Sequence, residues 1–246
     1  MQTQQILFED IIDESIELQP MHPGLFDEHL AEGWRLLGYS IIRHNYAACR
    51  GRLCYTIPLR IRLDGLIFSK SQRSVLRRNN DLTVKWGKVQ LTPEKEELFK
   101  LHTSRFRERQ PESVYSFLSP QAGSKPVRGM EMTLYEGERL LACSYVHLGE
   151  EAMSGTYCFF EPEASRQRSL GTFTMLLELI KAQEMGKRFY YHGYCYDVPS
   201  QFDYKMNFHN LESMDWKTGI WHPRPRVPVR RWENLVEKWP PPPSDQ

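Results

Sequence analysis

A chain of 246 residues has room for one large domain or two small ones, and 40% hydrophobic with 26% charged residues argues against wholesale disorder. No apolar run reaches the roughly 20 residues of a membrane span. An acidic N-terminus without a signal-like apolar core, together with an odd count of five cysteines, predicts a cytoplasmic protein in a reducing compartment rather than a secreted disulfide scaffold.

The net charge of +1 conceals a segregated chain, since residues 1–36 carry eight acids against Arg35 alone. Phe26, Leu30, Trp34 and Leu37 recur at helical spacing and predict a helix over residues 26–37, stopped at Gly38. Residues 39–46 and 56–63 read as strands, the second alternating Ile57, Leu59, Ile61 and Leu63 with Pro58, Arg60 and Arg62. Five arginines and no acid lie within residues 43–62, and the loop between the strands holds Cys49 and Cys54. That cysteine spacing, with His44 the only histidine nearby, does not make a four-ligand zinc site, so no metal is expected. Residues 69–80 predict a helix and 82–89 a strand, and Thr92-Pro93 opens a helix running to about Gln110.

Residues 111–128 hold three prolines, Gly123 and four serines and read as a loop. Strands over 130–135, 140–148 and 153–160 make an antiparallel meander, followed by an amphipathic helix over 169–185 stopped by Gly186 and a strand over 189–194. The organisation expected is an N-terminal lobe (1–110), a linker loop (111–128), a C-terminal lobe (129–216) and a Pro-rich tail (217–246) ending in Pro240–Pro243. The fold class expected is α/β (α+β), with mixed antiparallel sheets and flanking helices. Meander, loop, helix and crossing strand follow the order of an N-acetyltransferase half. Residues 38–110 suit a degenerate second copy, giving two acetyltransferase-like (GNAT-like) lobes around one cleft.

Three stretches carry chemistry. In Arg166 to Thr172, Arg168, Ser169 and Gly171 stand where acetyltransferases place the loop that holds a pyrophosphate on a helix N-terminus, with Ser169 replacing the first glycine. In Ser71 to Asn79, Arg73 and Arg77 share one helical face with Arg78 beside it, and arginine forks suit phosphate. The competing reading pairs that face with the acidic N-terminal segment. The third stretch is the aromatic strand Tyr190 to Tyr196, in which Gly193, beside Tyr194, would let a substrate backbone approach, followed by Asp203, Tyr204 and Lys205. A Tyr-Lys pair beyond a strand end can hold a phosphate, a carboxylate or a reacting amine.

Taken together, Ile57-Pro58-Leu59-Arg60-Ile61, Ser71 to Asp81, Gly155-Thr156-Tyr157-Cys158-Phe159-Phe160, Arg168 to Thr172, Tyr191-His192-Gly193-Tyr194 and Tyr204-Lys205 before Phe208 resemble the arginyl-tRNA–protein transferase family, including its bacterial leucyl-transferring branch. The resemblance runs over about residues 24–216. It implies an acetyltransferase-like fold and transfer of Arg or Leu from aminoacyl-tRNA to the N-terminus of an acceptor protein, expected to start with Asp or Glu, which marks it for degradation. It also implies a substrate-binding role for Tyr157, and for such an acceptor it makes Lys205 or Arg168 the expected partner of the side-chain carboxylate and Asp203 or Tyr204 the group near the reacting amine. The family's Cys-rich N-terminal segment has no counterpart in residues 1–48, and no cofactor is expected. A monomer is expected, with no membrane partner. Two other classes stay open: a coenzyme A-dependent N-acyltransferase using the loop 166–172, and a non-catalytic RNA-binding member that kept the fold.

Overall fold

A computed structural model describes residues 11–49, 52–106, 110–200 and 202–223. The Pro240–Pro243 run of the expected tail and the acids Glu9 and Asp10 lie outside the described residues. Its elements in chain order are β1 (Asp13–Glu17), α1 (Pro23–Ala31), β2 (Arg35–Leu37), β3 (Ser40–His44), β4 (Tyr46–Cys49), β5 (Arg52–Arg62), α2 (Lys70–Arg78), β6 (Thr83–Gly87), α3 (Pro93–Thr103), β7 (Gly129–Glu136), β8 (Arg139–Leu148), β9 (Ala152–Phe160), α4 (Pro162–Arg168), α5 (Leu170–Glu184), β10 (Phe189–Tyr196), β11 (Leu211–Met214) and β12 (Trp221–Pro223).

Among the described residues these strands make two sheets. A small one has the order β1-β3-β2, and a large one runs β12-β11-β5-β10-β9-β8-β7-β6, with β4 hairpinned onto β5. The large sheet crosses the boundary expected at residue 110, because β5 and β6 lie in the same sheet as β7 to β10. Within the expected linker loop 111–128, Val114, Leu118 and Ala122 are buried against Phe99, Tyr145 and Phe159, and Val127 against Phe26 and Leu30.

β8 is buried along its whole length after Arg139, because helices cover both faces. Tyr145 and Cys143 meet Leu98 and Phe99 of α3, whereas Val146 and Leu148 meet Met175, Leu176 and Leu179 of α5, as alternate residues of a strand must. At Gly129 a side chain has no room, since a Cβ there would sit 1.9 Å from the Ala122 carbonyl oxygen. Gly129→Ala is expected to cost about 3 kcal/mol of stability through backbone displacement, read as a lower Tm and a lower denaturant midpoint with an unchanged slope.

Several local expectations are corrected. The first helix ends at Ala31, not near Leu37, because Gly33 takes φ +88° and the Trp34 N–H closes back onto the His29 carbonyl. The freed residues Arg35–Leu37 become β2. The helix from Pro93 ends at Thr103. Residues 162–168 form a helix, so that Arg166 to Arg168 of the expected loop lie in α4. Cys49 and Cys54, on the paired strands β4 and β5, are joined as a disulfide with their Cα atoms 5.9 Å apart, a pairing that the expectation of a reducing compartment does not include.

Candidate active site

β9 and β10 run parallel, but they pair only over Ala152–Ser154 and Phe189–Tyr191. Beyond that point β9 stays with β8 and β10 stays with β5, so the strands part. A cavity of about 510 Å³ opens between them, bounded by α5, the small sheet and the turn at residues 203–206. The β10 side is shaped by a bulge at His192, followed by Gly193 at φ +83°.

One side of this cavity carries an acid. Glu178, in the middle of α5, accepts hydrogen bonds from the Ser144 and Tyr190 hydroxyls. Burial pushes its carboxyl up to about 7, against both hydrogen bonds. Gly155 makes this cluster possible, because a Cβ there would lie 2.5 Å from the Tyr190 hydroxyl and 3.2 Å from Glu178 Oε2.

Cations face the same space. Lys205 Nζ donates to the carbonyls of His192 at 2.7 Å and Tyr194 at 3.3 Å. Burial first, and then the charge of Arg35, pulls its ammonium down to about 7. Arg105 donates from Nε to the His102 carbonyl at 3.1 Å and lies over the Phe160 ring. His192 lines the cavity with neither ring nitrogen bonded, and burial ahead of the nearby Lys205 charge holds it well below the usual imidazole range, hence neutral. Phe117, Tyr157, Phe160, Met175 and Phe202 supply apolar wall, with the Phe117 and Tyr157 rings stacked at 4.0 Å.

The residues singled out from the sequence divide into three groups. Tyr157, Ser169, Gly171, Tyr204 and Lys205 line the cavity. The buried Tyr157 hydroxyl has no hydrogen-bond partner. Ser169 is the left-handed residue (φ 56°) joining α4 to α5, and a Cβ on Gly171 would press on the Phe160 ring at 3.1 Å. Tyr204 is part-exposed, and its phenol is pushed up chiefly by burial.

A second group is used internally. Arg168 forks onto Asp81 at 2.9 and 2.8 Å and reaches Glu136 at 2.6 Å, so it is committed to an ion-pair cluster rather than open to an acceptor carboxylate. Tyr194 donates to the Gly33 carbonyl and packs on Trp216. Asp203 accepts from Ser200 N and Oγ at 3.0 and 3.1 Å, closing a turn. Gly193 admits no substrate backbone, since the guanidinium of Arg35 occupies that approach.

The third group is Arg73, Arg77 and Arg78, all exposed on α2 outside the cavity. Arg73 donates to the Phe68 carbonyl and Arg78 to the Gln167 carbonyl. No ion pair among the described residues involves any of the three, and Glu14 of the acidic segment pairs with Arg43 instead. α2 abuts the α4–α5 junction, where Asn79 Nδ2 donates to the Arg168 carbonyl at 2.8 Å. α4 fills the place expected for an open pyrophosphate-binding loop.

Glu178, Ser144, Arg35 and His192 also line the cavity and stand outside the site residues expected from the sequence. Glu178 carried a readable signal: a single acid on the apolar face of an amphipathic helix.

A strand-splay cavity with a buried carboxyl on one side, cations on another and an aromatic wall suits the joining of an acyl donor to an amine. The family model described as "Arginine-tRNA-protein transferase, C terminus" matches residues 94–215. Similar curated proteins are named aspartate/glutamate leucyltransferase. That of Shewanella sp. (strain ANA-3) is 30% identical over 201 residues, 77% of this chain and 78% of that protein. That of Stenotrophomonas maltophilia (strain K279a) is 30% identical over 214 residues, 81% and 80% of the two chains. That of Leptospira interrogans (serovar copenhageni) is 26% identical over 178 residues, 70% and 67%. The chain belongs to the arginyl-tRNA–protein transferase family, a family of aminoacyltransferases. The crystal structure of FemX is a looser likeness, with a TM-score of 0.44 at 10% identity over 72% of this chain and 61% of that one.

Proposed function

We propose that this enzyme transfers leucine from leucyl-tRNA to the α-amine of a protein beginning with Asp or Glu, in the cavity between β9 and β10, and so marks that protein for N-degron degradation. The observation that carries the reading is the division of the cavity into an acid side (Glu178), a cation side (Arg35, Lys205, Arg105) and an apolar wall. Leucine is favoured over arginine because a transferred guanidinium would join three cations already facing the space, whereas Phe117, Phe160, Met175 and Phe202 suit an aliphatic side chain. The relatives named above carry leucyltransferase in their names.

In the reaction the acceptor nitrogen attacks the ester carbonyl carbon, the carbon–oxygen bond to the ribose breaks, and the amine proton passes to Glu178 and on to the departing ribose oxygen. Glu178 suits this exchange because a carboxyl titrating near 7 both takes and returns a proton at neutral pH. The unpartnered Tyr157 hydroxyl is the donor available to the tetrahedral oxyanion. Lys205 is the proposed partner of the acceptor side-chain carboxylate. Asp203, tied into its turn, serves by holding the 203–206 segment, with Tyr204 beside the amine. An activated ester needs no covalent enzyme intermediate, and holding the two substrates together supplies much of the rate.

The arginines of α2 are the proposed phosphate contacts that seat the tRNA beside the α4–α5 junction. Arg73→Ala with Arg77→Ala is expected to weaken tRNA binding and flatten its salt dependence by about 0.7–0.9 in log–log slope per lost contact, measured by filter binding across salt. An unchanged slope removes this face from the tRNA site. The function itself is tested by incubating the protein with leucyl-tRNA or arginyl-tRNA and peptides beginning Asp, Glu, Asn or Gln. Transfer of leucine to the first two supports the reading. Transfer of arginine, or of neither, overturns it.

A further inference from the structure

Arg35 is anomalous in its surroundings. It reaches the cavity from β2, and its guanidinium lies against Gly193, where a Cβ would meet Nη1 at 2.9 Å and Cζ at 3.0 Å. Its Cζ stands 5.0 Å from the Tyr194 ring centroid. Nε is buried without a hydrogen-bond partner, and no ion pair among the described residues includes this arginine. The groups that bear on its charge from the packed elements are the phenols of Tyr194 and Tyr196, the imidazoles of His44 and His192, and the ammonium of Lys205. None is a carboxylate. Arg35 and Lys205 thus place two like charges on the same stretch of β10, residues 192–194, and both bear on the neutral His192. Burying paired cations without a counter-ion is expensive, and so is an unmade hydrogen bond from a buried guanidinium. Both costs are relieved when an anion enters.

We propose that Arg35 is the specificity-determining residue for the acceptor, receiving the side-chain carboxylate of its N-terminal Asp or Glu beside Lys205. The inference rests on the reaction proposed above and adds the residue that reads the acceptor. A carboxylate is the favoured anion because its plane matches a guanidinium fork. The tRNA phosphates have their own exposed arginines on α2, an element distinct from the β2 wall. Gly193 is explained at the same time: only glycine both adopts φ +83° and leaves room for the guanidinium.

The test compares leucine transfer to matched peptides beginning Glu and Gln, for the wild type, Arg35→Met and Arg35→Lys, with leucyl-tRNA affinity measured in parallel. In Arg35→Met the preference for Glu over Gln in kcat/KM should fall at least tenfold through the Glu-starting peptide, with leucyl-tRNA affinity unchanged. Arg35→Lys, which keeps the charge and loses the fork, should be intermediate. Equal losses on both peptides assign Arg35 a structural role, and a loss confined to tRNA affinity assigns it a phosphate; either overturns the proposal. Should Arg35→Met not fold, an undiminished Glu preference in Arg35→Lys overturns it. Binding of labelled peptides to the wild type without tRNA separates this inference from the reaction. Glu-over-Gln binding without any transfer overturns the reaction and leaves the subsite standing, whereas transfer without Glu-over-Gln discrimination overturns the subsite.

Discussion

Glu178→Gln is expected to lower kcat for leucine transfer by about 100-fold or more, the range of a lost general base, or about 2.7 kcal/mol. Only the ionised carboxylate takes a proton from the acceptor amine, and burial sets that ionisation near 7. The wild-type kcat/KM should therefore climb with pH and bend over near 7. The variant should lose this bend and keep the titration of the acceptor's own α-amine, at roughly 7.7–8.0, together with the alkaline limb set by Lys205. A profile that keeps the bend in Glu178→Gln assigns the proton transfer to another group.

The same carboxyl marks stability. Its folded pKa of about 7 lies above the ordinary 4.5, so the protonated form is the one the fold prefers. Its contribution is fully present below the unfolded pKa and is lost as pH rises through the folded one. Denaturant melts of wild type and Glu178→Gln should thus diverge with pH, the wild type losing about 3 kcal/mol more than the variant between pH 4 and pH 8.

Lys205→Met is expected to cut transfer to Asp- or Glu-starting peptides at least tenfold, about 1.4 kcal/mol, while Tm and leucyl-tRNA affinity persist. Methionine keeps the unbranched stem and removes the charge. Because burial and Arg35 bring the Lys205 ammonium down to about 7, the wild type carries less positive charge there as pH rises. Wild-type kcat/KM for a Glu-starting peptide should accordingly decline on the alkaline side, and this limb should vanish in Lys205→Met. The two variants together test the division of the cavity, one removing the acidic limb and the other the alkaline limb. Collapse of tRNA affinity in Lys205→Met, with normal peptide dependence, would move Lys205 to the RNA side.

Local chemistry settled much of this protein before any packing is considered. Thr92-Pro93 starts α3, Ser69 caps α2 with Gln72 answering it, and alternation across residues 56–63 marks β5. Local signals of this kind act within a turn or a few residues, so the sequence carries them whole. The lining positions Tyr157, Ser169, Gly171, Tyr204 and Lys205 were also legible, through motifs that resemble a known family.

Tertiary structure decided the rest, because it depends on contacts between residues far apart in the chain. Arg168 looks available in sequence, and Asp81, 87 residues away, takes it. Gly193 looks like an opening for a substrate, and Arg35, brought across by the early end of α1 at Gly33, fills it. Glu178 is an ordinary helical acid until Ser144 of β8 and Tyr190 of β10 close around it and remove its water. Burial and charge neighbourhood are properties of the packed molecule, and they turn these side chains into an acid, a cation pair and a cavity.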